Sequence, residues 1–469
     1  MKIEQIYTGC IAHAAYYIKN NGEAAIFDPL REVEPYINRA AKDNAKIKYI
    51  FETHFHADFV SGHLDLAKKT DANIVFGPTA NPDFEAIIAE DNQEFKIGNY
   101  TIKAIHTPGH TLESTCYLLL DENGKQHGII TGDTLFIGDV GRPDLAQELI
   151  ADLTQEKLAE YLFHSLRNKI MPLADDLIVY PNHGAGSACG KNMSKETTDT
   201  LGNQKKTNYA LRADMTVEEF KKELLDGLTP PPAYFPQNVL MNIQGYESLD
   251  TIKEKANKPL SPKEFEIIAN KTEAVILDVR NEADFVKAHI PNSIFIGLHG
   301  QFAPWVGALI RDVKQPILLI TPEGKEEETV MRLSRVGFDN TLGFLNGGIE
   351  AWIKDNKEID SITSVSPEEF EKNYENTAVI DCRRPAEYTS IRINKAKNIP
   401  LDFLNDHLTE IPKEENFYIH CAGGYRSVIW SSIMKSRGYH NMINVEKGMS
   451  GIKNTAIPLI ENVCPSTLK

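Results

Sequence analysis

The sequence predicts an α/β protein of about three domains. Three observations carry this. The chain has 469 residues, against roughly 150 per domain. Within residues 1–245, four apolar, strand-like runs each end in a turn bearing histidine or aspartate. The remainder is a repeat of about a hundred residues in which short apolar strands alternate with helical stretches, the pattern of a parallel sheet.

The elements follow in order. Ile3 to Tyr7, Ala14 to Lys19 and Ala24 to Phe27 read as strands, with Asn20-Asn21-Gly22 as a hairpin turn. Residues 33–43 read as a helix. Ile47 to Phe51 is a buried strand running into Thr53-His54-Phe55-His56-Ala57-Asp58-Phe59, and Val60 to Lys69 has helical spacing. The imidazoles and carboxylate thus stand on a turn at a strand's carboxyl end, where α/β folds build sites. Thr107-Pro108-Gly109-His110-Thr111 follows the strand Tyr100 to Ile105. Asp133 follows Ile129 to Thr131, and Pro181-Asn182-His183-Gly184 follows Leu177 to Tyr180. Imidazole with carboxylate suits Zn or Fe. His63 is expected to pack beneath the site; His106, His127 and His164 carry no assigned role, and Cys10 reads as a small buried hydrophobe.

A net charge of −16 gives a nucleic-acid role little support. No apolar stretch reaches the length of a membrane span, so no membrane partner is expected. The N-terminus has no signal-peptide pattern, and six cysteines without pairing or CxxC spacing point to reduced thiols in the cytoplasm.

T-H-F-H-A-D, T-P-G-H-T and G-D-T-L-F-I-G-D-V-G-R-P-D (residues 132–144) make residues 1–245 resemble the metallo-β-lactamase fold, an αββα sandwich. Within it they resemble the branch holding glyoxalase II and the persulfide dioxygenases. Dinuclear hydrolases of this fold carry histidine directly after the motif aspartate; this chain has Phe59, which cannot ligate. A second metal site is therefore expected to be impaired, leaving His54, His110 and Asp133.

Gly184 to Gly190 is glycine-rich, and a polar stretch with Lys191, Lys195, Lys205, Lys206 and Arg212 follows. This segment is either a solvated face or a rim gripping an anionic thiol. In the resembled family it helps wall the substrate pocket, which would put Lys191 near substrate and Cys189 either near the substrate sulfur or there as a spectator thiol; Arg142, in the G-D-T-L-F-I-G-D-V-G-R-P-D motif, is also expected at the substrate. Pro230-Pro231-Pro232 ends the periodic pattern, and residues 246–260 read as a linker.

In the repeats, Leu260 to Phe265 matches Val365 to Phe370, and Val275-Ile-Leu-Asp-Val-Arg280 matches Ala378-Val-Ile-Asp-Cys-Arg383. In the second, the strand Phe417 to His420 runs into Cys421-Ala-Gly-Gly-Tyr-Arg-Ser427 and then a helix. Converging N–H groups, with Gly423 and Gly424 letting the loop close, and Arg426 favour a thiolate or persulfide anion there. The loop resembles the rhodanese active loop C-x-x-G-x-R-S, with Asp381 and Arg383 matching that family's D-x-R segment. In the first repeat, Thr321 replaces the nucleophile and Glu326 the arginine, so residues 261–360 read as an inactive rhodanese-like domain and 361–469 as the catalytic one. Cys382 and Cys464 are treated as structural.

This order resembles the bacterial persulfide dioxygenase–rhodanese fusions with a central inactive repeat. The resemblance implies one Fe(II) per chain on His54, His110 and Asp133, with His56, Asp58 and His183 behind them to orient the ligands. The implied partners are a small thiol persulfide (glutathione, coenzyme A or similar), O2 and sulfite, with homo-oligomerisation left open. The implied products are sulfite and then, through Cys421, thiosulfate. Two rival readings are glyoxalase-II-like thioester hydrolysis and a sulfur-carrying or sensing protein with a regulatory N-terminal domain.

Overall fold

In a computed structural model of the chain, residues 2–145, 153–191 and 193–462 are described; Cys464 lies outside them. The chain divides into two compact units. One runs to Ile252 and takes in Ile310–Val313 and Met331–Asp339; the other holds Lys253–Leu309, Lys314–Val330 and the chain from Asn340.

The first unit is built on two six-stranded sheets. One pairs Lys2–Thr8, His13–Asn20, Glu23–Phe27, Lys46–Phe51, Asn73–Phe76 and Ile87–Ile88 in chain order. It is antiparallel up to Glu23–Phe27 and parallel beyond it. The hairpin turn works as expected: Asn21 and Gly22 both take positive φ, 47° and 77°, the geometry of a turn that matches strand twist. The other sheet runs Asp199–Thr200, Ile178–Pro181, Gln126–Gly132, Thr115–Leu120, Tyr100–His106 and Glu94–Ile97. Phe27, Phe51 and Val75 of the first sheet meet Tyr117, Leu119 and Ile130 of the second in one buried core. Helices Glu34–Lys42 and His63–Thr70 pair their apolar residues with the first sheet, and Gln155–Ser165 packs Leu158, Ala159 and Leu162 toward the second. This is the αββα sandwich. Residues 246–260 are not a free linker: they hold helix Leu249–Ala256, whose Leu249 N–H bonds Asp65, and the sheet strand Pro259–Leu260.

The second unit contains two five-stranded parallel sheets of identical order. The first is Pro259–Leu260, Thr341–Leu345, Ile317–Ile320, Val275–Asp278, Ile294–Phe295; the second is Ser364–Val365, Met442–Val445, Phe417–His420, Ala378–Asp381, Lys397–Asn398. The strand Ile317–Ile320 is wholly buried, as a central parallel strand covered on both faces must be.

Candidate metal centre and sulfur-transfer loop

The metal centre forms where strand ends converge. His54 follows Lys46–Phe51, Asp133 follows Gln126–Gly132, and His110 sits on the turn after Tyr100–His106. Their donor atoms lie within 4.8 Å of one another, and all three residues are buried. His54 Nε2 is 3.9 Å and His110 Nε2 3.4 Å from Asp133 Oδ2. Each ring is oriented from behind. His110 Nδ1 donates to the Arg142 carbonyl at 2.7 Å. His54 Nδ1 donates to Thr53 Oγ1 at 2.9 Å, and that hydroxyl gives its own proton to Asp28. Both Nε2 lone pairs therefore face a carboxylate, and among the described residues neither Asp133 oxygen has a hydrogen-bond partner. Acceptors converging in a buried site without a donor are a site for a cation. The residues thus fit a divalent metal. Gly141 makes the approach possible: a Cβ there would lie 2.1 Å from the Asp133 carbonyl oxygen and 2.9 Å from His110 Nδ1.

His56 is turned away from the donor set, into a buried polar network. Its Nε2 is 2.9 Å from Asp28 Oδ1 and 3.4 Å from Glu52 Oε2. Burial disfavours its cation, but the bonds to both carboxylates outweigh burial and hold it well above the usual imidazole value. Glu52 also takes the Ser61 hydroxyl, and His63 packs beneath as expected, 3.3 Å from Glu52. Phe59 is fully buried and lies against His56 and His13, ring centroids 4.3 Å apart in each case.

Asp58 and His183 stand beside the triad, His183 Nε2 being 3.5 Å from both Asp58 Oδ2 and Asp133 Oδ1. The buried Cys189 sulfur joins them, so Asp58, His183 and Cys189 form a second group able to hold a metal. Phe59 cannot ligate, but three donors stand together there. Burial and the nearby carboxylates of Asp58 and Asp133 push the Cys189 thiol well above its usual range.

Two expected substrate contacts are engaged elsewhere. Arg142 forks onto Asp144 with both bonds at 2.6 Å and also donates to the Thr229 carbonyl. Its side chain anchors the loop whose carbonyl orients His110. Lys191 Nζ bonds the Glu223 and Asp226 carbonyls, capping the end of helix Val217–Leu225. Lys205 pairs with Asp175. Arg142, Lys191 and Lys205 are thus engaged by the protein's own groups.

In the second unit, Cys421 follows strand Phe417–His420, and helix Tyr425–Ser436 begins four residues later. Gly424, at φ 110°, turns its N–H onto Cys421 Sγ at 3.1 Å. The thiol is held well below its ordinary range, chiefly by a hydrogen bond with the Cys382 thiol. Bonds from Ser427 and Gly424 add to this against the cost of burial. The Arg426 guanidinium forks onto Glu387 at 2.6 and 2.7 Å. Both line a pocket of about 340 Å³ together with Gln301, Trp305, Arg384 and Cys421. Arg383 forks onto Asp381, and Arg280 grips Asp278 in the same way in the first repeat. A clamp common to both repeats fastens the strand end and is not specific to the one with a nucleophile. In the first repeat, Glu326 Oε1 accepts from Thr321 Oγ1 and the Gly324 N–H, so its own carboxylate fills the cradle.

A hydroxyacylglutathione hydrolase from Pseudoalteromonas translucida is 32% identical over 197 residues, 42% of this chain and 68% of that protein. The metallo-beta-lactamase superfamily profile matches residues 8–183. The chain belongs to the metallo-beta-lactamase superfamily. A probable hydroxyacylglutathione hydrolase from Schizosaccharomyces pombe is 30% identical over 164 residues, 34% of this chain and 59% of that protein. A solved structure of a metallo-beta-lactamase from Staphylococcus aureus is 30% identical, covers 74% of this chain and 98% of its own, and superposes with a TM-score of 0.65. The rhodanese-like domain profile matches residues 261–355 and 366–455. This superfamily member therefore carries two rhodanese-like domains after its metal-binding sandwich.

Sequence reasoning missed Asp28, Glu52, Thr53 and Cys382. Asp28 stands at the end of strand Glu23–Phe27, where the strand-end rule that found the ligands would have found it. Cys382 gives no such signal, since its partner is 39 residues away in sequence.

Proposed function

We propose that the chain oxidises small thiol persulfides with O2 to sulfite at one Fe(II) held by His54, His110 and Asp133, and that Cys421 then carries sulfane sulfur to sulfite, giving thiosulfate. One observation carries the reading: a donor set of two imidazoles and one carboxylate shares a chain with a rhodanese loop whose thiol is held well below its ordinary range. Such a triad suits Fe(II) and leaves coordination positions open. Bound Fe(II) would supply the redox chemistry toward O2. The protein's own residues orient and enclose. Thr53 and the Arg142 carbonyl set both imidazoles. Phe59 and His56 close the far side. The first reaction takes a persulfide, O2 and water to the free thiol and sulfite. In the second, the Cys421 thiolate takes the outer sulfur of another persulfide, releasing its thiol, and sulfite then removes that sulfur. The Gly424 N–H and Ser427 favour the anion at each stage.

Thioester hydrolysis is the second reading. The hydrolase relatives favour it, as does the Asp58, His183 and Cys189 cluster, since such hydrolysis uses a metal-bound hydroxide, often at a paired centre. Metal analysis with oxygen-electrode assays on glutathione and coenzyme A persulfides separates the two. The expected result is one iron per chain, with His54→Ala losing the metal and all O2 uptake. Two tightly bound metals with thioesterase activity under nitrogen would establish the hydrolase instead.

A further inference from the structure

Strands Ala378–Asp381 and Phe417–His420 are parallel neighbours, with Asp381 opposite His420. Those two side chains share a face, His420 Nε2 lying 3.8 Å from Asp381 Oδ2. Cys382 and Cys421 are the next residues beyond these strand ends, and the Cys382 N–H donates to the His420 carbonyl at 3.0 Å, which carries the pairing of the two segments up to the cysteines. Neighbouring strands run about 4.8 Å apart, inside the Cα separation of roughly 4.4–6.8 Å that a disulfide spans. Both thiols are free and only 1% exposed, and each bears on the other's acidity, Cys421 being lowered and Cys382 raised. Cys421 also lines the pocket and meets the Gly424 N–H there. A second sulfur on Cys421 therefore has room on the pocket side, with the Cys382 thiol against the attachment sulfur. The first repeat lacks both partners: Val279 stands where the second has Cys382, and Thr321 where it has Cys421.

We propose that Cys382 is a resolving thiol, giving this chain a further activity: release of hydrogen sulfide from the Cys421 persulfide, with closure of a Cys382–Cys421 disulfide. This rests on the reading above that Cys421 carries sulfane sulfur. The Cys382 sulfur attacks Cys421 Sγ. The bond between the two cysteine sulfurs forms, and the bond from Cys421 to the outer sulfur breaks. The outer sulfur leaves with that electron pair and takes the Cys382 proton, departing as hydrogen sulfide. The sulfane sulfur is reduced, the two thiols are oxidised to a disulfide, and no outside oxidant enters. The loop N–H groups that hold the persulfide anion also receive the leaving hydrosulfide. Sulfite competes for the same outer sulfur, so the discharge dominates when acceptor is scarce. A small thiol then reopens the disulfide.

The test uses the full-length chain, loaded anaerobically with thiosulfate, freed of sulfite and thiosulfate by desalting, and left without acceptor. Sulfide is measured, and alkylated peptides are mapped by mass. Wild type is expected to release one equivalent of sulfide per loaded chain and to yield a linked peptide pair joining Cys382 and Cys421. Cys382→Ser, which keeps a hydrogen-bond donor, and Cys382→Val, the residue of the first repeat, are expected to retain the extra sulfur on Cys421 and release none. Wild type that keeps its persulfide as long as the two variants do, without the linked pair, overturns the resolving role while leaving Cys421 a sulfur carrier. Absence of added sulfur on Cys421 in all three proteins overturns both the carrier reading and this one.

Discussion

Asp133 offers two buried carboxylate oxygens to no protein donor, and an unanswered buried charge costs stability until a cation arrives. Asp133→Asn is therefore expected to abolish metal binding while raising the unfolding free energy of the metal-free protein by about 1–3 kcal/mol. Metal analysis and chelator-treated unfolding curves check this. Cys421 makes the opposite case, a charge well answered. Its thiol is lowered in the folded state, so the folded chain binds fewer protons than the unfolded one over the window between the two values. The contribution is fully present above the unfolded thiol value and is lost as pH falls through the folded one. Alkylation of Cys421 should already be fast and pH-independent near neutrality, and Ser427→Ala should shift its onset to higher pH. Lys191 shows where a residue-level reading from sequence stops. A lysine in a basic run looks like a substrate clamp, but its ammonium is taken up by carbonyls at Glu223 and Asp226, more than thirty residues along the chain. Lys191→Ala is expected to lower stability by about 1 kcal/mol and leave KM for an anionic persulfide unchanged. The ligands were legible because a strand end followed by His or Asp is a local pattern. Lys191 and Cys382 were not, because their partners are brought by the fold.

At the scale of elements, the two rhodanese-like sheets share strand order and the same arginine–aspartate clamp, which internal similarity in the sequence made visible. They differ in the loop before one helix. Gly324 and Gly424 stand at matching places, but the Gly324 N–H is answered by Glu326 and the Gly424 N–H by Cys421 Sγ. Thr321→Cys alone is therefore expected to give a thiol with ordinary, slow alkylation at neutral pH, and no sulfur transfer in a Cys421→Ser background. Adding Glu326→Arg empties the cradle and should accelerate alkylation. Equal rates for the single and double variants would show that Glu326 does not control the loop. That the carboxylate folds back into the cradle was not readable from the sequence, which shows the reversed charge but not where it points.

For the molecule as a whole, the sequence divides cleanly at residue 245, but the compact units do not. Arg31 is fully buried, and its two terminal nitrogens bond Asp339, the Ser334 carbonyl and the Glu247 carbonyl. Arg335 pairs with Glu32, and the Val60 N–H donates to its carbonyl. A fragment ending at residue 245 loses every one of these partners. It is expected to be poorly soluble or to unfold several degrees below the full chain, whereas Arg31→Met in that fragment should recover part of the loss, because an apolar side chain leaves no buried charge unpaired. Thermal unfolding of fragment, variant and full chain decides it. The Arg31 contact also bears on descent. Genes are commonly cut and rejoined where domains meet, but a crossover between codons 252 and 331 would part an arginine from the acid that neutralises it. Once that pairing had formed, the metal-binding and rhodanese segments were bound to be inherited together.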